Sequence, residues 1–274
     1  MIEILKAILF GIVEGVTEWL PISSTGHLIL LNEFITLNVS EEFSQMFDVV
    51  IQLGAILAVI VLFFRKLNPF DPGKKAPQRR QTWRLWFTVV ISIIPSGLVG
   101  VLFDDWMEAH LHTAPVVALM LIVYGVAFIL VERYNARRES AITSVYDIDL
   151  KTALLIGAFQ CLSLIPGTSR SGSTILGAIL LGVSRSAGAE FSFFMAIPTM
   201  VGASAIKALK FMLSGAAITG TEVGVLVVGC LVSFLVSLLV IRGLMEYVRR
   251  HSFAAFGVYR IVLGVIVLAY FLVA

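Results

Sequence analysis

Glu14 and Glu18 stand four residues apart in an otherwise apolar stretch, a spacing that puts two carboxylates on one helix face. Such a pair offers oxygen ligands to a divalent cation, or one member can act as a general base. A solvated surface-helix face is the blander reading, and it fits poorly with the apolar neighbours. The chain then reads Pro21-Ile22-Ser23-Ser24-Thr25-Gly26-His27. Ser23 or Ser24 suits the cap of a new helix. His27 follows three to four residues later, on roughly the same face. A histidine beside a serine serves as general base or as nucleophile, and the sequence leaves both open.

The strongest signal is Pro166-Gly167-Thr168-Ser169-Arg170-Ser171-Gly172-Ser173-Thr174. It joins glycines, hydroxyls and an arginine at a helix start inside an apolar run. Free backbone N–H groups and the positive dipole end suit an anion there, and the guanidinium fork matches phosphate oxygens. Arg260 lies within another apolar run, where an arginine is costly unless paired. Phosphate, Glu14, Glu18 and Glu190 are its candidate partners. The candidates are therefore Glu18, Ser24, His27 and Arg170 for catalysis, with Glu14 and Glu18 for a metal. Ser23, Thr25, Ser169, Ser171, Thr174 and Arg260 are candidates for substrate binding. Asp48, Gln52 and Gln160 are candidate supporting groups, while His110, His112 and His251 fall in connections and read as bystanders.

What must position these residues is a membrane domain. The 274 residues are 58% hydrophobic and only 14% charged, against about 45–50% and about 25% in soluble chains, and mean hydropathy is +0.96. That excludes an ordinary soluble enzyme and a disordered chain. A net charge of +2, thinly spread, excludes a nucleic-acid binder. Cys161 and Cys230 sit in apolar runs without CxxC spacing and read as core packing. Lys6 precedes an apolar run, but Glu14 and Glu18 interrupt it and no small-residue cleavage site follows, so a signal peptide is not expected.

Six segments are long and apolar enough to cross a bilayer: about 46–64, 85–103, 114–131, 188–211, 222–241 and 253–273. Stretches 2–32 and 152–182 are each broken by the proline-, glycine- and hydroxyl-rich motifs above. Ten residues of helix after the first break reach roughly 15 Å, so both stretches are expected to be re-entrant. Charge agrees. Connections 65–84, 133–151, 183–187 and 242–251 hold fifteen of the 20 Lys and Arg residues. Connections 33–45 and 104–113 hold Glu33, Glu41, Glu42, Asp104, Asp105 and Glu108 and no Lys or Arg. The positive-inside rule then puts the basic connections in the cytoplasm and both termini outside, provided neither broken stretch spans.

The broken stretches also align with each other. Gly11, Glu14, Pro21 and Ser24 match Gly157, Gln160, Pro166 and Ser169 with one gap, and Met107-Glu108 matches Met245-Glu246. Expected is a single all-α integral-membrane domain over 1–274, built of inverted repeats at about 1–133 and 150–274, with broken helices meeting near the midplane. Two functions follow from the residues alone: an intramembrane phosphatase acting on a phosphorylated lipid, or an inverted-repeat transporter or flippase for such an anion. A transporter needs no nucleophile, so the serine and histidine favour hydrolysis.

Glu14-Gly-Val-Thr-Glu18-Trp-Leu-Pro-Ile-Ser-Ser-Thr-Gly-His27 together with Pro166–Thr174 resembles the bacterial undecaprenyl-diphosphate phosphatase family, the bacitracin-resistance protein. The likeness runs through essentially the whole chain, including Phe47-Asp-Val-Val-Ile-Gln-Leu-Gly54, Glu190-Phe-Ser-Phe193 and Tyr259-Arg260. It implies removal of the terminal phosphate from undecaprenyl diphosphate, which recycles the carrier lipid for peptidoglycan synthesis. It also implies a divalent cation, Mg²⁺ or Ca²⁺, and work at the outer face of the inner membrane. The family's functional residues match Glu14, Glu18, Ser24, His27, Ser169, Arg170, Thr174 and Arg260. The expected partners are a polyprenyl diphosphate and membrane lipid, with a homodimer as a candidate assembly.

Overall fold

The computed structural model describes residues 1–111 and 113–273; His112 and Ala274, and the side chains of Asp104, Asp105, Glu108, Leu272 and Val273, lie outside the described residues. The described chain forms twelve α-helices: α1 Ile2–Thr17, α2 Ser24–Phe34, α3 Glu41–Val50, α4 Gln52–Leu62, α5 Phe64–Leu67, α6 Ala76–Leu111, α7 Ala114–Asn135, α8 Leu150–Cys161, α9 Arg170–Leu180, α10 Arg185–Leu213, α11 Gly220–Arg250 and α12 Ala254–Val273. Six spans are long and apolar enough to cross a membrane: Glu41–Leu62, Ala76–Phe103, Ala114–Asn135, Arg185–Leu213, Gly220–Arg250 and Ala254–Phe271. These are the six segments expected, five of them lengthened at a polar end and the last, Ala254–Phe271, slightly shorter than expected. Glu41 and Glu42 start α3 behind the Ser40 cap, where the helix dipole favours acids. The stretch 104–113, expected as a connection, is helical as far as Leu111.

Both broken stretches divide as their motifs predict. Ser23 caps α2 by accepting from Gly26 N, and Ser169 caps α9 by accepting from Gly172 N. Each serine has φ 75 and they are the only described non-glycine residues with positive φ. The two helices have 11 residues each, roughly 16 Å of rise against a hydrocarbon core of about 30 Å.

Packing crosses between the halves of the chain. α1 lies along α11, α8 along α6, α7 along α12, and α10 along α3 and α4. Membrane helices approach through small residues, and here glycine is obligatory. A Cβ on Gly157 would stand 1.8 Å from Ser92 O of α6, and one on Gly54 would stand 2.1 Å from Cys230 O of α11. Trp19, Phe191, Phe193 and Phe194 fill the centre, while Leu98, Leu102, Leu213 and Leu239 are turned outward on the faces that meet lipid.

The helix ends sort by charge. At one end Arg185 pairs with Glu132, which also accepts from Phe253 N. Lys66 pairs with Glu190 at 2.5 Å, and Ile142 bridges to Val183. All four basic connections send residues to these contacts or adjoin them. At the other end Asn38 N donates to Glu3, Lys6 donates to Thr36 O, and Glu222 accepts from Ser40 and Thr219.

Candidate active site

The two broken stretches meet at one cavity of about 140 Å³. Glu18, Ser23, Ser24 and Thr25 line it from the first break, and Pro166, Gly167, Ser169 and Arg170 from the second. Gln52 of α4 and Thr199 of α10 complete the polar wall, with Ser163. The first N–H groups of a helix have no intrahelical partner. The caps leave those of Ser24 and Thr25 in α2 and of Arg170 and Ser171 in α9 free, and Ser24, Thr25 and Arg170 are on this wall.

Glu18 is the hub. Its Oε1 accepts from Arg170 Nη2 at 2.9 Å and Nε at 3.3 Å, and its Oε2 accepts a short bond from Ser24 Oγ. The pair is buried, with 5% of the Glu18 side chain and 10% of the Arg170 side chain exposed. Such a pair tolerates burial only with good geometry and further hydrogen bonds, and both are present. Arg170 Nη1 donates to Ser192 O at 2.7 Å, and its guanidinium lies 5.7 Å from the Trp19 ring. Thr174 Oγ1 shares a 2.6 Å bond with Ser192 Oγ and donates back to Arg170 O. Ser171 Oγ reaches Glu18 O at 3.2 Å and Ser169 Oγ at 3.2 Å. Sequence reasoning missed Ser192 and Trp19. Ser192 is one hydroxyl among phenylalanines, and its partners lie on another helix.

Three expectations change in detail. His27 does not pair with Ser24. Its Nδ1 lies 2.7 Å from Ser23 O, a pure acceptor, so Nδ1 carries the proton. In the neutral ring Nε2 then accepts from Tyr259 Oη at 2.8 Å, and His27 is off the cavity wall. Arg260 meets no carboxylate. Fully buried, it donates to Pro21 O, Gly167 O and Thr168 O at 2.7–2.9 Å and ties the two breaks together. Glu190, one of its candidate partners, is paired with Lys66 instead. Glu14 lies one turn below Glu18 and off the wall. It is fully buried, and both of its carboxylate oxygens lack a hydrogen-bond partner. Asp48, whose charge reaches Glu14, has one oxygen in the same state.

With this geometry in view, comparison decides the family. The family model described as bacitracin resistance protein BacA matches residues 7–266. The chain belongs to the BacA family. Its similarity extends to curated proteins named undecaprenyl-diphosphatase. One from Streptococcus thermophilus is 58% identical over 98% of this chain and 94% of its own length. One from Enterococcus faecalis is 58% identical over 97% and 96%, and one from Streptococcus pyogenes is 56% identical over 98% and 97%. The BacA likeness thus covers nearly the whole of this chain and of each relative.

Proposed function

We propose that this multi-pass membrane protein hydrolyses undecaprenyl diphosphate to undecaprenyl phosphate and inorganic phosphate. The carrying observation is the buried Glu18–Ser24–Arg170 cluster, assembled across two breaks at one membrane-embedded cavity. Phosphoryl transfer asks a protein mainly to position its groups and to stabilise charge electrostatically. Arg170 and the first-turn N–H groups of α9 meet the charge that builds on the terminal phosphoryl oxygens. Ser24 Oγ attacks that phosphorus while Glu18 Oε2 takes its proton. A Ser–O–P bond forms, the bridging P–O bond breaks, and undecaprenyl phosphate leaves. Glu18 passes that proton to the departing undecaprenyl phosphate, then takes one from water as the water attacks phosphorus, and returns it to Ser24 Oγ as the Ser–O–P bond breaks and phosphate leaves. His27 holds the start of α2 through Ser23 and Tyr259. The isoprenoid tail stays in lipid throughout.

Glu14 fits a hard divalent cation, since two buried carboxylate oxygens without partners call for one. Among the described residues no three His, Cys, Asp or Glu side chains gather as ligands. An ion here would take Glu14, and Glu18 where the Arg170 pair opens, with substrate phosphates supplying the rest as Mg²⁺ prefers. Its chemistry would be charge neutralisation on the diphosphate.

We read α1–α2 and α8–α9 as re-entrant hairpins of an inverted repeat. Their shared serine caps, their length and the crossed packing of α1 on α11 and α8 on α6 support this reading. Segregation of the basic connections at one end supports a cytoplasmic placement for that end. We assign the chain to the bacterial inner membrane with its site opening outward, on the family likeness.

The test is phosphate release from a polyprenyl diphosphate by purified protein. Release should stop with chelator and return with Mg²⁺ or Ca²⁺. Glu18→Ala and Arg170→Ala should each lower turnover by about 10²–10³-fold, the usual loss of an electrostatic contact to the transition state. Each single variant should also lose stability, because it strands a buried charge, whereas the double variant should regain stability without activity. Tracer flux of the lipid without hydrolysis would select a transporter instead.

A further inference from the structure

Gln52 occupies a part of the cavity wall that the reaction above leaves unused. It opens α4 directly after the one-residue interruption at Ile51. Two positions on, Gly54 is pressed against Cys230 O of α11, so close that no side chain fits. Two residues turn a helix by about 200°, so seating Gly54 on α11 points Gln52 the other way, into the cavity it lines. Its amide has no hydrogen-bond partner among the described residues. The wall around it is differently placed. Thr199, facing it from α10, accepts from Gln160 and donates to Met195 O, and Ser163 donates to Gln160 O.

The site's cation is also heavily committed. Arg170 gives Nε and Nη2 to Glu18 and Nη1 to Ser192, so little of its five-donor fork remains for a phosphate. A diphosphate brings more acceptor oxygens than that remainder can serve. A neutral amide adds two N–H donors without adding a second charge to desolvate.

We propose that Gln52 is a substrate-binding residue whose side-chain amide donates to a phosphate oxygen of the diphosphate. The inference rests on the phosphatase reading of the same cavity.

The experiment measures phosphate release from farnesyl diphosphate by purified parent, Gln52→Ala and Gln52→Glu proteins, with methylenediphosphonate as a competing non-hydrolysed probe. For Gln52→Ala, KM and the inhibition constant should both rise about tenfold or more, the size of one hydrogen bond to a charged group, with kcat changed less than about threefold. Gln52→Glu keeps the shape and adds a negative charge, so its KM should exceed that of Gln52→Ala. Thermal midpoints in detergent should stay at the parent value. An unchanged KM and inhibition constant in Gln52→Ala overturns the proposal, as does a fall in kcat alone. If Gln52→Ala does not fold, Gln52→Glu decides, and parent-like binding there overturns it. A parent protein that releases no phosphate defeats the phosphatase reading itself, whereas an active parent with an indifferent Gln52→Ala defeats only this assignment.

Discussion

At the scale of single residues, Ser23 and Ser169 stand out by their backbones. Each holds φ 75, a region that costs a non-glycine residue of the order of 1–3 kcal/mol. Glycine would cost less there, and as a cap it gives up only a few tenths of a kcal/mol against serine. Keeping serine at that expense points to what its hydroxyl does at the cavity. Ser23→Gly and Ser169→Gly should therefore melt at or above the parent temperature in detergent while phosphate release falls about tenfold or more, the scale of one charge-assisted hydrogen bond. A fall of both melting temperatures instead would make the serines merely structural. This level was largely legible in the sequence. Glu14, Glu18, Ser24 and Arg170 announced themselves because polar side chains inside apolar runs are conspicuous. Ser192, Trp19 and the His27–Tyr259 bond were hidden, because each depends on a partner far away in the chain.

Elements meet here through an arginine. Arg260 on α12 grips Pro21 O from one break and Gly167 O and Thr168 O from the other, and it stacks 5.5 Å from Tyr124 of α7. The sequence flagged the residue, yet no reading of charge could identify backbone carbonyls as its partners. Carbonyls carry no sequence signature. Arg260→Ala would leave those carbonyls without donors in a dry core at about 1–3 kcal/mol each. It should lower the melting temperature and abolish turnover together. Arg260→Lys should rescue neither fully, since one ammonium lacks the planar fork that reaches both breaks. Hydrogen exchange should show faster opening at both Ser24–His27 and Arg170–Thr174. Protection lost at only one break would mean that the arginine does not couple them. Helix limits were legible to within about two and a half turns, because the apolar run marks the lipid-crossing part of a helix. The polar turns beyond it, as in α6 up to Leu111, are helical through their own bonds and leave no hydropathy trace.

The whole molecule is sorted end from end. Every basic connection contributes to, or adjoins, the Arg185–Glu132 and Lys66–Glu190 end, while Glu3, Ser40 and Glu222 meet at the other. Cysteine substituted at position 42 should react with an impermeant reagent added outside intact cells, and at position 75 only after lysis. The reverse pattern would invert the proposed orientation. The gathering of the basic connections at one end was legible because loop charge is written in the sequence. The crossed packing was not, because apolar faces look alike and the glycines where backbones touch, Gly157 and Gly54 among them, are lost among the other glycines.

That crossing has a consequence for how the chain is made. Gly11 and Gly15 of α1 rest on Gly229 and Ser233 of α11, a partner translated more than 200 residues later. At about 5–20 residues per second the first hairpin waits roughly 10 to 40 s for that surface. For most of that interval Arg170 is not yet made, and for all of it α11 is missing beside Glu14 and Glu18; a bare carboxylate pair is a poor tenant of the bilayer interior. The hairpin is thus a late arrival by construction: it must linger at the interface or in the insertion machinery, and the catalytic cavity is sealed only as the last two helices are laid down.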